Sequence, residues 1–226
     1  EVFSRVEGVV ASHWEDTLGQ TVREAQTCFG LLLDVIADER VENAGNETSD
    51  AYTRDIIQKI VKGPAEQKRK YLAACVLITR VGASRLLAVK PDLLAQTLDV
   101  MRVLGIAPAA SNMLTDLSAS LLKELGDAGK WRQWWLAPLA ESLVGDAHIR
   151  SSVVTYLLPS LLKQNGESVL ELMELLVNRA SDRSNARNSS AVVSVLKVAR
   201  NLQLVDAKRI TLLRPHAKSA TYEVPR

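Results

Sequence analysis

The chain has 226 residues, of which 47% are hydrophobic, 24% charged and 4% aromatic, and its formal net charge is +2. This composition is ordinary for a soluble globular chain, and the length is sufficient for a substantial core. The longest apolar runs are interrupted by Asp34 and Asp38. They fall far short of the roughly 20 residues that a membrane-spanning helix needs, so we predict no membrane insertion. Abundant Leu, Ala and Val with few aromatic residues favour packed helices over a β-sandwich.

Helical periodicity recurs along the chain in pieces that are separated by Gly, Pro, Asn and Asp residues. In chain order, the predicted helices cover residues 3–14, 21–40, 50–62, 64–81, a short piece after Gly82, 92–104, 109–125, 127–144, 148–164, 167–180 and 185–202. The connections between them are short, and the predicted fold is all-α. Residues 203–226 are predicted to be a polar and partly irregular tail.

The predicted helices share a pattern in which an arginine near the start of a helix follows an acid-bearing turn. The clearest examples are Arg23, Arg150 and Arg187, which follow Asp16, Asp146 and Asp182. Weaker matches at positions 69 and 112 complete a register with steps of 37 to 46 residues. This period is typical of HEAT and armadillo repeats, whose two-helix units bury their apolar faces by stacking. We therefore predict a single HEAT/armadillo-like helical-repeat solenoid over residues 1–226, in which each arginine pairs with an acid of a turn.

The segment HWEDTLGQTVREA is the part of the chain that most resembles a catalytic constellation. We interpret its Arg23 and Asp16 as a repeat-stacking pair because the same pattern recurs in other repeats. His13 and Glu15 lack the spacing of metal-binding histidine motifs, and Trp14 is expected to anchor a core or an interface. The sequence has no nucleophile elbow, reactive-cysteine signature or glycine-rich phosphate loop. We predict a protein that is not an enzyme and that has no metal, cofactor or small-molecule substrate.

Charge is distributed unevenly along the chain. Residues 1–50 contain 11 acids and three arginines, whereas residues 179–226 contain ten Lys or Arg and three acids, a net charge of +7. A local excess of cations favours phosphate backbones, although such runs are often solvated faces. The candidate nucleic-acid-binding residues are the cations Lys62, Lys68, Arg69, Lys70, Arg179 and Arg183.

Trp131, Trp134 and Trp135 fall on about one face of a predicted helix. Such a cluster either fills the gap between two repeats or stacks on bases and docks a partner, and we favour the packing interpretation. Cys28 and Cys75 are flanked by apolar residues without Cys-x-x-Cys spacing. They are predicted to be buried thiols of a reducing compartment, which indicates a cytoplasmic protein. The chain begins without Met, and we expect a piece of a longer repeat protein.

Two stretches, SHWEDTLGQTVREAQTCFGLLLDVI and NSSAVVSVLKVARNLQLVD followed by YEVPR, resemble the helical-repeat region of the thyroid-adenoma-associated protein (THADA) family. In that family a tryptophan followed by an acid precedes a valine-rich helix, and a second helix carries a Leu-Lys-x-Ala-Arg pattern. The matching residues are Trp14, Glu15 and Val22 for the first feature and Leu196, Lys197, Ala199 and Arg200 for the second.

The resemblance implies a cytoplasmic, non-catalytic scaffold that assists a tRNA anticodon-loop ribose 2′-O-methyltransferase. Its expected partners are the methyltransferase subunit, tRNA, or both. A different interpretation is a general protein-interaction solenoid for transport or complex assembly, with its basic face serving an acidic protein partner and with no role in RNA binding. Salt dependence separates the two, because phosphate contacts weaken steeply as salt is added.

Overall fold

A computed structural model describes residues 2–14, 16, 18–37, 46–180 and 185–204 of the chain. These residues form helices and contain no strand, so the prediction of an all-α fold is confirmed for them. The chain divides into two compact units, Glu1–Asp127 and Ala128–Arg226. The single solenoid over residues 1–226 stays a prediction. Of the predicted tail, residues 205–226 lie outside the described part of the chain.

The described part of the first unit contains seven helices. They are α1 (Val2–Ser12), α2 (Gly19–Ala37), α3 (Asn46–Val61), α4 (Lys68–Val81), α5 (Ala83–Val89), α6 (Leu93–Val100) and α7 (Ala107–Leu125). Helix α7 has Pro108 in its first turn, where a missing N–H costs nothing, and it ends at Gly126, whose φ of 59° suits glycine. Helix α4 begins at Lys68 and not at Pro64, because the backbone N–H of Gln67 donates to the Pro64 carbonyl and forms a separate turn.

Helix α4 is the centre of the first unit and packs against α2, α3, α5 and α7. Its Leu77 is fully buried, as are Leu114 and Leu117 of α7. Full burial of a leucine contributes about 1.5–3 kcal/mol relative to its exposure, so this helix pair holds much of the core energy. The apolar spacing of α4 is therefore what orients the start of the helix, where the candidate cations lie.

A carboxylate of α7 fixes the junction between α4 and α5. Glu124 accepts hydrogen bonds from the backbone N–H groups of Ala83, at 2.6 Å, and Ser84, at 2.9 Å. Gly82 turns the chain there with a φ of 94°, and an added Cβ would lie 3.0 Å from a Glu124 oxygen. Burial acts to raise the pKa of Glu124, but the hydrogen bonds from Ser120, Ser84 and Ala83 outweigh it and lower the pKa.

The second unit contains a further five α-helices among its described residues. They are α8 (Ala128–Val144), α9 (Ala147–Ser152), α10 (Leu158–Gln164), α11 (Ser168–Ala180) and α12 (Asn185–Asn201). A π-helical turn, Val153–Leu157, joins α9 to α10 within the region predicted as one helix. Pro159 lacks the N–H that a regular α-helix would use there, which accounts for the widened turn. Helix α11 packs against α8 and α12.

The tryptophan cluster of α8 forms part of the core of the second unit. Trp131 and Trp135 are 1% and 0% exposed, and their ring centroids lie 6.5 Å apart. Trp134 is 37% exposed. The packing interpretation holds for Trp131 and Trp135, whereas Trp134 lies at the surface.

The repeating arginines lie near helix starts as expected, but the described pairs differ from the prediction. Asp16 accepts a hydrogen bond from the backbone N–H of Leu18 and forms no ion pair with Arg23, which is exposed. Asp146 caps α9, while Arg150 donates to the Leu143 carbonyl at 3.4 Å. Asp146 thus caps α9, and Asp16 binds the N–H of Leu18 just before α2, because free backbone N–H groups are the nearest donors to a carboxylate in such a turn. The third pair involves Asp182, which lies outside the described residues.

Cys28 is exposed on α2, and Cys75 is half-buried on α4. The prediction of a buried thiol is therefore wrong for Cys28. Its neighbours Phe29 and Gly30 are buried on one face of α2, and Cys28 lies on the exposed face. Within the described residues, no helix is long and apolar enough to cross a membrane.

Candidate functional site

The connection between α3 and α4 is a tight turn closed by two side chains of α4. The hydroxyl of Tyr71 donates to the Ala65 carbonyl at 2.7 Å, and the ammonium of Lys70 donates to the Gly63 carbonyl at 3.0 Å. Both residues are buried. Burial, together with Glu66, raises the pKa of Tyr71 to about 12, so the hydroxyl remains a donor at physiological pH. These contacts connect the turn to the first residues of α4.

Four of the six candidate nucleic-acid-binding cations lie at this turn. Lys62 follows α3 and is exposed, and Lys68 and Arg69 are exposed in the first turn of α4. Lys70 is buried behind them and is 8% exposed. The structure therefore places three of these cations at the surface and one inside the fold.

The other two candidate cations belong to the second unit. Arg179 lies in α11, with a side chain outside the described residues, and Arg183 lies in the undescribed segment between α11 and α12. Their participation in a binding surface stays a prediction.

The charges at the start of α4 oppose the helix dipole. The first turn contains Lys68, Arg69 and Lys70 without an acid, and the N-cap residue Gln67 makes no capping hydrogen bond with its side chain. The N-terminus of a helix carries partial positive charge, so anions stabilise it and cations do not. The arrangement is unfavourable for the isolated helix and becomes favourable when an anion approaches.

Lys70 is the most unusual of these cations. Burial lowers its pKa, and the nearby charge of Lys90 lowers it further. The carboxylates of Glu66 and Asp92 act in the opposite direction without restoring the ordinary pKa. Among the described residues, the Gly63 carbonyl is the one hydrogen-bond acceptor of its ammonium. An ammonium has three donors, so two of its donors have no acceptor among the described residues.

A pocket of about 240 Å³ opens beside this turn, between α1, α2, α3 and α4. Its apolar wall consists of Val10, Ala11, Trp14, Phe29, Ile60, Pro64 and Ala73, and its polar lining consists of Lys59, Gln67, Arg69 and Lys70. Trp14 and Phe29 meet edge to face with ring centroids 5.5 Å apart. The lining thus combines aromatic and aliphatic surface with three cations and no carboxylate.

Sequence reasoning identified most of the cations but not the pocket. Trp14 was expected to anchor a core or an interface, and it is 4% exposed. The signal that was missed is the combination of small residues near the cations, because Ala11, Gly63 and Ala73 leave space that larger side chains would fill. That combination becomes visible only when α1 and α4 are placed side by side.

The histidine-containing segment does not form a metal site in the described residues. The His13 ring nitrogen Nδ1 lies 2.8 Å from the Val9 carbonyl and 3.0 Å from the Ser12 hydroxyl, so it is engaged at the end of α1. Within the described part of the chain, no group of three or more His, Cys, Asp or Glu side chains could hold a metal ion.

The fold and the site define a helical-repeat protein with a cationic surface next to an aromatic-lined pocket. A family model described as "Trm732, TPR repeats" matches residues 131–221. This match agrees with the predicted helical-repeat solenoid class, which is confirmed.

Curated relatives align with most of the chain. The "tRNA (32-2'-O)-methyltransferase regulator THADA" of Canis lupus familiaris is 25% identical over 215 residues, covering 88% of this chain and 11% of the relative. The protein of the same name from Homo sapiens is 23% identical, covering 97% of this chain and 12% of the relative. The "tRNA (32-2'-O)-methyltransferase regulator trm732" of Schizosaccharomyces pombe is 26% identical over 151 residues, covering 63% of this chain and 10% of the relative. No solved structure matches the chain.

The comparisons agree with the resemblance to the THADA family that the sequence indicated. It spans about a tenth of the length of the curated relatives that it matches. These relatives are named as regulators of a methyltransferase and not as enzymes, which agrees with the prediction of a non-catalytic protein.

Proposed function

We propose that this segment is a non-catalytic helical-repeat scaffold that helps a tRNA ribose 2′-O-methyltransferase to act, by binding the enzyme, tRNA, or both. The observation that carries the proposal is the alignment of 88% of the chain with a protein named as a regulator of such an enzyme. The expected compartment is the cytoplasm. The proposal needs no chemical step on this chain, and its residues act by holding other molecules.

The surface that we assign to tRNA is the exposed trio Lys62, Lys68 and Arg69 at the start of α4. Three cations and an uncapped helix N-terminus together create positive potential at one place, which suits a phosphate backbone. Contacts of this kind position a nucleic acid without reading its sequence. The buried Lys70 supports the surface from behind and is not counted among its phosphate contacts.

The test is the combined charge reversal Lys62→Glu, Lys68→Glu and Arg69→Glu. We expect the affinity for tRNA at near-physiological salt to fall by more than about tenfold. The dependence of the affinity on salt concentration should also become weaker. Glutamates at positions 68 and 69 favour the helix dipole, so the melting temperature should not fall. If the melting temperature is unchanged, a loss of binding does not come from unfolding of α4.

The matched control reverses three exposed cations elsewhere, Arg23→Glu, Lys123→Glu and Lys163→Glu. It changes the net charge by the same amount but leaves the turn intact. If both triple variants weaken tRNA binding equally, net charge and not this surface determines affinity. If neither does, the assignment of this surface to tRNA is wrong.

Docking of a protein partner is favoured by a separate observation. Leu31 and Val35 lie one turn apart on α2 and are 56% and 46% exposed. An exposed apolar pair of this kind suits a protein surface more than it suits RNA. If the chain retains the methyltransferase subunit in a pull-down but fails to bind tRNA, the segment acts as a protein adaptor. Loss of that retention in Leu31→Ser with Val35→Ser would locate the contact on α2.

A further inference from the structure

The pocket beside the α3–α4 turn is small, open and mixed in character. Its volume of about 240 Å³ lies below the range of about 300–1,000 Å³ that holds drug-sized ligands. One planar ring or one side chain fits such a space, and a larger ligand would have to remain partly outside. Trp14 and Phe29 are 4% and 2% exposed, so only small parts of their rings border this space, and the rest of its apolar wall is aliphatic.

The charge of the lining points to an acceptor-rich ligand. Arg69 and Lys70 border the pocket, and Lys59 lies at its edge in an exposed ion pair with Asp55 at 2.8 Å. Lys70 is more than nine-tenths buried, and the Gly63 carbonyl accepts the one hydrogen bond that its ammonium makes within the described residues. A buried ammonium is costly unless its donors are satisfied, so a ligand that supplies acceptors at this wall would be stabilised.

We propose that this pocket receives the base of one unpaired RNA nucleotide, whose acceptor atoms face the Lys70 ammonium, while its backbone phosphates contact Arg69, Lys68 and Lys62 outside. The inference rests on the proposed role in tRNA binding and assigns an additional, separable contact to it. Base stacking on aromatic residues and cations along the backbone are the usual parts of a single-strand binding site.

The row of exterior cations favours RNA over an acidic peptide segment. Lys62, Lys68 and Arg69 are all exposed at the α3–α4 turn, and Arg69 also lines the pocket, so a chain of regularly spaced phosphates could contact all three. A peptide side chain with one carboxylate would use the pocket and leave the exterior row without a ligand.

The test fills the pocket without changing its charge. Ala11 lines the pocket on α1, and the adjacent Ser12 is exposed and does not line it. Ala11→Leu should lower the affinity for a short single-stranded RNA by about fivefold or more. It should leave the affinity for a duplex of the same sequence unchanged, because paired bases cannot enter. Ser12→Leu, the control, should bind both RNAs as the parent does.

A second variant and a fluorescent probe cover the case in which Ala11→Leu does not fold. Lys70→Met replaces the ammonium with an unbranched apolar side chain that is one atom shorter and has no donors, and it should weaken single-strand binding selectively. An RNA with 2-aminopurine at one position should change its fluorescence on binding the parent and not on binding either variant. Circular dichroism melting establishes that each variant is folded.

Three results would overturn the inference. If both pocket variants bind single-stranded RNA as the parent does while the charge reversal at Lys62, Lys68 and Arg69 abolishes binding, the surface binds phosphates and the pocket is not used. If single-stranded and duplex RNA compete equally, no unpaired base is read. If a polyglutamate peptide displaces the RNA probe from the parent but not from Ala11→Leu, the occupant is an acidic protein segment. Failure of the charge reversal alone would instead contradict the proposed function.

Discussion

The two tryptophan-bearing regions of the chain use their rings for different purposes. In the second unit, Trp131 and Trp135 are enclosed and pack on one another at 6.5 Å. In the first unit, Trp14 and Phe29 are also buried, yet their rings form the wall of a pocket that opens to solvent. The sequence drew attention to the tryptophans of α8 because they are close together along the chain. The structure instead places a pocket beside Trp14, which is the one tryptophan outside α8.

The difference lies in the neighbours of the rings. Trp135 lies on α8, and α8 packs against α9, α11 and α12 of the same unit. Around Trp14, the residues Ala11, Gly63 and Ala73 are too small to fill the available space. Aromatic residues therefore indicate a binding surface only when small residues keep their surroundings open.

The largest effect that tests this comparison is expected at Trp135. Trp135→Ala should reduce the free energy of unfolding by about 3–5 kcal/mol, because the truncated side chain leaves an enclosed cavity. Its indole N–H is buried without a hydrogen-bond partner in the described residues. The substitution therefore breaks no hydrogen bond of the indole, and the expected loss of stability comes from packing alone. Urea denaturation followed by circular dichroism measures the change.

Trp14→Ala is the matched substitution and should cost less, about 2–3 kcal/mol, because it enlarges an existing open pocket and creates no new enclosed cavity. The substitution also removes the edge-to-face contact of Trp14 with Phe29. An equal or larger loss at Trp14 would show that the pocket is part of a closed core and would remove the distinction between the two regions.

Much of the fold could be predicted from the sequence because helix periodicity is a local property. The predicted helix 109–125 is observed as Ala107–Leu125, and 167–180 as Ser168–Ala180. The larger errors have local causes that periodicity does not contain. The predicted helix 64–81 opens at Pro64, whereas Pro64 begins a separate turn and α4 starts at Lys68. The predicted helix 148–164 contains a π-helical turn beside Pro159.

The candidate site could be predicted only in part, because burial depends on the packing of distant segments. Lys68, Arg69 and Lys70 are consecutive and equally basic in sequence, yet only Lys70 faces inward. Successive residues of a helix are rotated by about 100°, so the three side chains point in different directions. The sequence does not reveal which of the three is directed into the fold. The positions of α1 and α2 decide this, and they are set by contacts far along the chain.

A medium effect is expected at the start of α5, which contrasts with the cationic start of α4. Glu124 supplies acceptors to the N–H groups of Ala83 and Ser84, whereas α4 begins without such an acid. Glu124→Ala should therefore reduce stability by about 1–2 kcal/mol at neutral pH. Thermal or urea unfolding measures the loss.

The pH dependence of the same contact has a defined sign. The folded-state pKa of Glu124 is lowered, so its contribution is fully present above the ordinary glutamate pKa and is lost as the pH falls through the folded pKa. Parent and Glu124→Ala should therefore converge in stability on acidification. A constant difference between them down to strongly acidic pH would show that the carboxylate charge is not what stabilises the junction.

The smallest effect on stability, and the sharpest test of the comparison, is expected at Lys70. Lys70→Met removes a buried charge, which stabilises the fold, and it also removes the hydrogen bond to the Gly63 carbonyl, which destabilises it. Because these two effects oppose each other, the free energy of unfolding at neutral pH should stay within about 1 kcal/mol of that of the parent. Because the folded-state pKa of Lys70 is lowered, the unfolded chain binds more protons there, and the parent should gain stability as the pH rises through the folded pKa towards the ordinary lysine pKa. The methionine variant should lack that gain. A large loss of stability at neutral pH would identify Lys70 as a structural support of the turn, whereas near-parent stability with weakened single-strand binding would assign its ammonium to the ligand.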